Sequence, residues 1–205
     1  SSEPIYYWYM GTAIPNDTPL TTLVTTFEAD NIDGNIAYTS CLPGYPYTST
    51  DPLWRHGSME RRNKPTPINY IPEANGGAAY VAGDMRALQI TEPLMSGTAS
   101  NTMVFNFSTV NYKDIKFSFA AMNELTNATG ILVDYSTVAG APVWSTAGLA
   151  STTLPLTAAF TLFEVDFTSI LAANNNANFK VRLRFTGANM EVDNGNRITF
   201  NNIPV

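Results

Sequence analysis

The clearest pattern in the chain is an alternation of apolar and polar residues between positions 174 and 205. In the segment 179–185, FKVRLRF, every second residue is apolar and the residues between them are basic. The alternation returns in 197–203, RITFNNI, after a turn-forming stretch at 187–195. A period of two is typical of a β-strand with one buried face and one wet face. We therefore predict two strands here, and we expect the last strand to pair near the first strand of the chain.

Shorter segments with the same alternation recur along most of the sequence. In chain order they cover residues 5–10, 21–27, 36–41, 88–90, 103–107, 115–119, 131–135 and 163–167. Only 169–174 resembles a helical turn. Strands separated by Gly, Asn and Pro at intervals of roughly 10 to 20 residues are typical of sandwiches and jelly rolls. The pattern predicts an all-β fold, a jelly-roll β-sandwich of two antiparallel sheets, in one domain spanning residues 1–205.

The pattern breaks down between Leu42 and Gly77, where six prolines fall. Proline cannot donate to a β-ladder, so this segment is predicted to be a long irregular loop. Long loops of this kind are usually functional or disordered. The segment holds four of the eleven basic residues, the single histidine, His56, and one of the three tryptophans, Trp54. It is therefore the first place to look for a binding site.

Composition and charge narrow the class of protein. The net charge of −6 disfavours nucleic acid as a partner, because binding phosphates requires concentrated Lys and Arg. A membrane-spanning helix needs about 18 consecutive apolar residues, and the sequence contains no apolar run of that length. The low share of charged residues, 14%, favours a secreted or cell-surface domain. The single cysteine, Cys41, is predicted to be a buried apolar residue. A start at Ser-Ser-Glu-Pro, without a signal peptide, is typical of a fragment cut from a longer chain.

Motifs that would name an enzymatic reaction are absent from the sequence. It contains no GxSxG, HExxH, CxxC or phosphate-binding GxxxxGK[ST], and a single histidine removes most catalytic triads. Two enzymatic alternatives stay open. One is a polysaccharide lyase that uses His56 with nearby arginines. The other is a glycoside hydrolase with a pair of carboxylates. The candidate carboxylates are Glu28, Glu60, Glu73, Asp84, Glu124 and Asp134.

Several segments carry a resemblance to a known family. They are YKDIKFSFA at 112–120, VDYST at 133–137, FTLFEVDFTSILAANNN at 160–176 and the ending from 174 to 205, with a looser match at 5–10. Together they resemble a β-sandwich module, similar to carbohydrate-binding modules, that recurs in large secreted multidomain proteins of the Bacteroidetes group. The resemblance implies a non-catalytic accessory domain that is exported, joined to other domains of the same protein, and often presumed to bind glycans.

A structural calcium ion is the cofactor expected for such a module. Jelly-roll binding modules often hold calcium between an acidic turn near their start and their final strand, and Ca²⁺ prefers oxygen ligands. The candidate ligands are Glu28, Asp30 and Asp33 in the acidic turn, with Asn201 near the end, where Asp193 and Asn202 also lie. The related modules usually have Asp where this chain has Asn201, which removes a charge. A solvated Asx-rich turn is the equally weighted alternative.

The loop supplies residue types that suit a glycan. Aromatic faces stack on sugar rings, and planar polar groups hold hydroxyls. We predict a polysaccharide site, favouring an acidic polysaccharide, built from Tyr45, Tyr47, Trp54, Arg55, His56, Arg61 and Arg62. In the alternative, Trp54 and Tyr45 only pin the loop to the sandwich while the arginines offset nearby acids. The function expected is thus a carbohydrate-binding or adhesive module. A structural spacer or protein-interaction domain is the first alternative and an enzyme the second.

Two further features receive structural interpretations. Trp144 is predicted to cover the core or a sheet edge. The basic row Lys180, Arg182 and Arg184 is predicted to be a solvated strand face that protects against edge pairing.

Overall fold

The structure, a computed structural model, describes residues 3–205. Its strands, in chain order, are β1 Tyr6–Trp8, β2 Thr22–Val24, β3 Phe27–Glu28, β4 Asn35–Thr39, β5 Met59–Arg62, β6 Ala87–Thr91, β7 Met95–Ser96, β8 Ala99–Ser100, β9 Thr102–Asn106, β10 Lys116–Glu124, β11 Ala128–Ser136, β12 Thr153–Pro155, β13 Thr161–Asp166, β14 Lys180–Gly187, β15 Arg197–Asn201 and β16 Ile203–Pro204. Three short 3-10 helices lie at Pro72–Ala74, Ala82–Asp84 and Leu171–Ala173.

Two antiparallel sheets form the body of the fold. One has five strands in the order β13-β10-β15-β6-β5, and the other has six in the order β12-β11-β14-β9-β4-β2. Strands that follow one another along the chain, such as β9, β10 and β11 or β13, β14 and β15, alternate between the sheets. This connectivity confirms the predicted all-β jelly-roll sandwich.

The core between the sheets is rich in aromatic rings. Phe105 of one sheet meets Phe117 of the other at a ring-centroid distance of 4.8 Å, and Phe119 lies 5.6 Å from Phe200. All four side chains are fully buried. They come from alternate positions of their strands, because successive side chains of a strand point to opposite faces. The alternation read from the sequence therefore identified the faces that the sandwich buries.

The two ends of the described chain pair with each other. In the antiparallel pair of β1 and β16, Tyr7 lies opposite Pro204 and Trp8 opposite Ile203. The amide of Ile5 also donates to the carbonyl oxygen of Val205 at 2.8 Å. The expected pairing of the last strand with the first is confirmed.

Two sequence interpretations were wrong. The segment 42–77 is not irregular throughout: it contains β5, which forms the edge of the five-stranded sheet. The sequence of β5, MERR, lacks alternation because charged side chains occupy three consecutive positions. The second error concerns the basic row, since β14 lies between β11 and β9 and has no free edge to protect.

Among residues 3–205, no helix is long and apolar enough to cross a membrane.

Candidate functional site

An open cleft of about 590 Å³ lies on the outer face of the five-stranded sheet. Its walls come from the loop that precedes β5, from β5 and β6, and from the turn that leads into β15. The lining residues are Trp54, Arg55, His56, Arg62, Gln89, Thr91, Glu92, Asp193, Gly195 and Arg197. The cleft thus combines an indole ring, an imidazole and three guanidinium groups.

Strand register explains why the floor of the cleft is polar. Glu60 lies opposite Gln89, and Gln89 lies opposite Thr199 on its other side. Thr91 lies opposite Arg197 in the same sheet. Residues directly opposite each other in antiparallel strands share a face, so these side chains all project away from the core. Polar residues at alternate positions of β5, β6 and β15 therefore form one continuous polar surface.

The loop above this surface is tied to the sheet through its backbone. The hydroxyl of Thr91 donates to the backbone carbonyl oxygen of Arg55 at 2.8 Å. The backbone amide of Gly57 donates to the backbone carbonyl oxygen of Glu92 at 3.1 Å. Arg55 itself has a positive φ of 66°. These contacts hold Trp54, Arg55 and His56 over the strands, where Trp54 and His56 are half-buried.

Arg55 links the loop to two carboxylates. Its Nη1 lies 3.1 Å from Oδ1 of Asp17, and its Nε lies 3.0 Å from Oε1 of Glu60. The angle of the second contact falls outside hydrogen-bond geometry, so it is an ion pair without a hydrogen bond. Glu60 is fully buried, and its Oε2 accepts a hydrogen bond from Ser58 at 2.7 Å. The charge of Glu60 is therefore balanced within the protein.

Arg62 reaches across the face of the sheet to Glu124 of β10. Its Nε donates to Oε1 at 3.2 Å and its Nη2 to Oε2 at 2.9 Å, a bidentate pair. Burial alone would raise the pKa of Glu124, but hydrogen bonds from Arg62 and Thr199, with the charges of Arg62 and Lys64, lower it to about 2. This pair crosses the two intervening strands β15 and β6.

Arg197 is the cleft residue that the sequence reading missed. It lies opposite Glu124 in the register of β10 and β15, yet Glu124 pairs with Arg62 instead. Within residues 3–205, Arg197 forms no ion pair, and its buried Nε has no hydrogen-bond partner. Its Nη2 donates to the carbonyl oxygen of Gly195 at 2.9 Å. Burial and the nearby charge of Arg62 lower its pKa.

His56 has one polar contact in the cleft. Its Nδ1 lies 2.7 Å from Oδ2 of Asp193, in the turn before β15. When Nδ1 carries the proton, it donates a hydrogen bond to the carboxylate. Nε2 is then the ring nitrogen that can accept a proton. The pair also fixes the position of the turn relative to the loop. No local signal connects His56 with Asp193, because 137 positions separate them.

The other three predicted glycan-binding residues do not line the cleft. Tyr45 donates its hydroxyl to the carbonyl oxygen of Leu20 at 2.7 Å and packs edge-on against Tyr38. Tyr47 donates to the carbonyl oxygen of Pro43. Arg61 lies on the opposite side of β5 from Arg62, and its Nη1 donates to the carbonyl oxygen of Ile14 at 3.2 Å. In these contacts, Tyr45 anchors the loop to the sandwich.

Glu28 and Asn201, two of the four predicted calcium ligands, have hydrogen-bond partners in the protein. Glu28 accepts a hydrogen bond from Thr25 at 2.6 Å, and Asp30 and Asp33 are exposed. Asn201 is fully buried and uses its amide to donate to two carbonyl oxygens, those of Lys64 and Arg86, while its Oδ1 accepts from the amide of Asn202. In the part of the chain that the structure describes, no group of three or more His, Cys, Asp or Glu side chains could hold a metal ion. The calcium site stays a prediction.

Two other clefts are present on the surface. One, of about 570 Å³, is lined mainly by apolar residues and includes Tyr9 and Tyr70. The other, of about 770 Å³, lies beside Ile5, Tyr112 and Lys116. The first also includes Trp8, which is fully buried, and neither is lined by an arginine. Of these three clefts, the one at Trp54 combines a partly exposed tryptophan with arginines.

Comparison with known proteins gives distant likenesses only. No family model and no curated protein matches the sequence. A solved structure of the K2 cleaved adhesin domain of Lys-gingipain is 10% identical with a TM-score of 0.39, covering 62% of this chain and 75% of that chain. The K1 cleaved adhesin domain of Lys-gingipain from Porphyromonas gingivalis W83 is 11% identical with a TM-score of 0.38, covering 82% and 96%.

A phage protein has a similar score. The enzymatically active domain of tailspike protein 4 from bacteriophage CBA120 is 9% identical with a TM-score of 0.39, covering 83% of this chain and 19% of that chain. Likenesses this distant carry no functional conclusion.

Proposed function

We propose that this domain is a non-catalytic carbohydrate-binding or adhesive module that holds a glycan in the cleft at Trp54, with acidic polysaccharides as the favoured class. The observation that carries the proposal is the meeting of Trp54 with Arg55, Arg62 and Arg197 in one open cleft. Secretion and attachment to further domains of a larger protein belong to the same proposal.

Trp54 provides the stacking surface. An indole buries a large apolar face while its N–H stays available to water or to a hydroxyl. Trp54 is half-buried at the cleft, which leaves part of its ring open to a ligand. A pyranose ring presents C–H groups on its face and hydroxyls at its edge. The sugar face would therefore contact Trp54 while its hydroxyls meet the polar floor.

The polar floor supplies both donors and acceptors. Guanidinium groups donate in a planar fork that matches carboxylate oxygens. Gln89 donates through Nε2 to the carbonyl oxygen of Arg61, which leaves its Oε1 as an acceptor for a hydroxyl. The cleft volume of about 590 Å³ lies within the range of about 300 to 1,000 Å³ common for ligand sites. The cleft is open to solvent, so part of a longer polymer can occupy it. These properties support a chain-like sugar ligand.

The test is binding of the purified domain to a panel of neutral and acidic polysaccharides by affinity electrophoresis and calorimetry. Trp54→Ala should lower affinity at least about 10-fold, the effect of losing one stacking contact together with the buried area. Trp144→Ala is the matched control, because Trp144 is also half-buried but packs against Arg182 of the six-stranded sheet. Equal affinities of the two variants would refute the site.

A separate calcium titration tests the predicted cofactor. The domain is treated with a chelator and then titrated with Ca²⁺. An ion bound to the folded state should raise Tm, and Asp30→Asn combined with Asp33→Asn should remove the increase. A Tm unchanged by Ca²⁺ would refute the calcium prediction without affecting the glycan site.

A second candidate function rests on the contact between His56 and Asp193. A carboxylate that orients an imidazole is the arrangement of a general base, and arginines beside it could hold the carboxylate of a uronate. A polysaccharide lyase would release unsaturated products that absorb in the ultraviolet. His56→Gln should then abolish product formation and leave binding intact. Binding without product would leave the module non-catalytic, and absence of all binding would favour a spacer or protein-interaction domain.

A further inference from the structure

Among residues 3–205, two buried polar atoms of residues that line the cleft have no hydrogen-bond partner. One is the Nε of Arg197, a donor, and the other is the Oε2 of Glu92, an acceptor. Both residues line the cleft at Trp54. The two side chains do not form an ion pair with each other, so each is left with an unused hydrogen-bonding site. Buried polar atoms in folded proteins are nearly always paired, and an unpaired one calls for an explanation.

The other two arginines of the cleft are held by carboxylates. Arg62 is held by Glu124 through two hydrogen bonds, and Arg55 contacts the carboxylates of Asp17 and Glu60. Arg197 therefore differs from the other two arginines of the cleft. It is the guanidinium available to an anion that enters from outside.

Glu92 is held in place by its other oxygen. Its Oε1 accepts the amide N–H of Asn127 at 2.7 Å and the hydroxyl of Thr126. The side chain is 1% exposed, so it cannot turn out into the solvent without losing these contacts. A carboxylate accepts hydrogen bonds and donates none, which makes its free Oε2 a receptor for a hydroxyl.

We propose that Arg197 and Glu92 form a paired subsite that selectively binds a sugar carrying both an acidic group and a free hydroxyl, such as a uronic acid or a sulfated sugar. The proposal rests on the glycan function proposed for this cleft and assigns its specificity. Arg197 holds the carboxylate or sulfate oxygens, Glu92 accepts the hydroxyl, and Trp54 stacks on the ring.

The physical reason is the cost of a half-buried guanidinium that has no ion-pair partner among residues 3–205. Arg197 has given up part of its hydration, and Arg62 nearby adds repulsion. An incoming oxyanion restores hydrogen bonds to the guanidinium in a partly desolvated site, where charge-assisted bonds are stronger than in water. A neutral sugar leaves Arg197 unpaired. Discrimination against neutral sugars follows, because a site built for a polar group rejects the analogue that lacks it.

The experiment compares three polymers by calorimetry with the whole domain. They are polygalacturonate, its methyl-esterified form, which has the same rings without the charge, and dextran sulfate as a sulfate carrier. Wild-type protein should bind the acid at least about 10-fold more tightly than the ester. Arg197→Gln should lower affinity for the acid by about 10- to 100-fold and leave affinity for the ester unchanged.

Two variants separate the subsite from general electrostatics. Lys180→Gln removes the same charge from the six-stranded sheet and should leave binding unchanged. Glu92→Gln leaves its single oxygen with Asn127 and Thr126 and puts an NH2 donor in place of Oε2, so affinity for both the acid and the ester should fall, whereas general electrostatics would raise affinity for the acid. Preference for dextran sulfate alone would assign the subsite to sulfate, and preference for polygalacturonate alone would assign it to uronate.

The outcomes distinguish the two proposals. If Trp54→Ala abolishes binding but acid and ester bind equally, the glycan function stands and the paired subsite is refuted. If no polymer binds, both fail. Thermal unfolding of free Arg197→Gln guards against misfolding: its Tm should equal or exceed that of the wild type, because a half-buried charge without an ion-pair partner has been removed. A binding loss with a lowered Tm would overturn the proposal.

Discussion

At the residue scale, Asn202 joins three distant parts of the chain through one buried side chain. Its Nδ2 donates to the carbonyl oxygens of Thr66 at 3.0 Å and Ile68 at 2.8 Å, and its Oδ1 accepts from the hydroxyl of Tyr7 at 2.8 Å. The residue has a φ of 47°, which Asn tolerates better than most residues. Asn202 therefore fastens the loop after β5 to both β1 and β16.

Replacing this amide should be costly. Asn202→Ala leaves a buried hydroxyl and two carbonyl oxygens without partners, and we expect a loss of about 3 kcal/mol in the free energy of unfolding. Asn178→Ala, at an exposed turn position, should change it by less than about 0.5 kcal/mol. Urea unfolding of both variants measures the difference, and similar losses would refute this role for Asn202.

Glu124 gives stability a dependence on acid pH. Its pKa is lowered from the usual 4.5 to about 2 in the folded domain, so the stabilisation is present above pH 4.5 and lost as the pH falls towards 2. After allowing for solvent screening, the loss is about 2 kcal/mol. Glu124→Gln should flatten the pH dependence of the free energy of unfolding in this window. An unchanged slope would contradict the assignment.

At the element scale, β14 shows what a correct strand prediction can miss. Its apolar positions face the core as predicted, but its basic row is not simply solvated. Arg182 donates through Nε to Oδ1 of Asp134 at 2.9 Å and lies 4.5 Å from the ring centroid of Trp144. Asp134 is buried because it sits opposite Arg182 in the middle of the six-stranded sheet. The strand is therefore held on both of its faces.

This arrangement predicts unequal effects within one row of β14. Arg182→Met leaves the buried carboxylate of Asp134 without its main partner and should cost about 3 kcal/mol. Lys180→Met, two positions away on the same face, should change stability by less than about 0.5 kcal/mol. Guanidinium chloride unfolding compares the two. Equal effects would show that the Asp134 pair contributes no more than surface charge.

At the scale of the whole molecule, the sandwich is closed by the pairing of β1 with β16. Ile203 is fully buried and lies opposite Trp8, whose indole N–H donates to the carbonyl oxygen of Leu23 at 2.9 Å. The closing contact thus connects the end of the chain to β1 and, through Trp8, to the edge strand β2 of the six-stranded sheet. Most pairings in such a fold join remote segments, which is typical of slowly folding all-β domains.

Loss of the Ile203 side chain should destabilise the whole fold. Ile203→Ala should cost about 3 kcal/mol, which lowers Tm by about 10 °C for a chain of this size. Leu125→Ala is the control, because Leu125 is 81% exposed. Differential scanning calorimetry should show one transition shifted for Ile203→Ala and no shift for the control. An unshifted Tm would mean that closure contributes little.

The sequence alone determined the fold class, the buried faces of the long strands and the pairing of the chain ends. These features follow from period-two alternation, which is local and survives in single segments such as 179–185. It missed β5, because MERR has no alternation, and it placed Tyr45, Tyr47 and Arg61 with the ligand-binding residues. Their contacts were invisible because residue type says nothing about which face of a segment reaches the solvent.

Only the tertiary structure decided the composition of the cleft. The sheet order places β15 beside β6 and β6 beside β5, and this brings Arg197 and Asp193 to a loop more than a hundred positions earlier. The tertiary structure also pairs the carboxylate of Glu124 with Arg62. Arg197 lies opposite Glu124 in the strand register but forms no ion pair with it. Which charges pair and which remain available depends on distances between strands that no local pattern encodes. Non-local strand pairing is therefore the physical reason that the site, unlike the fold, required the structure.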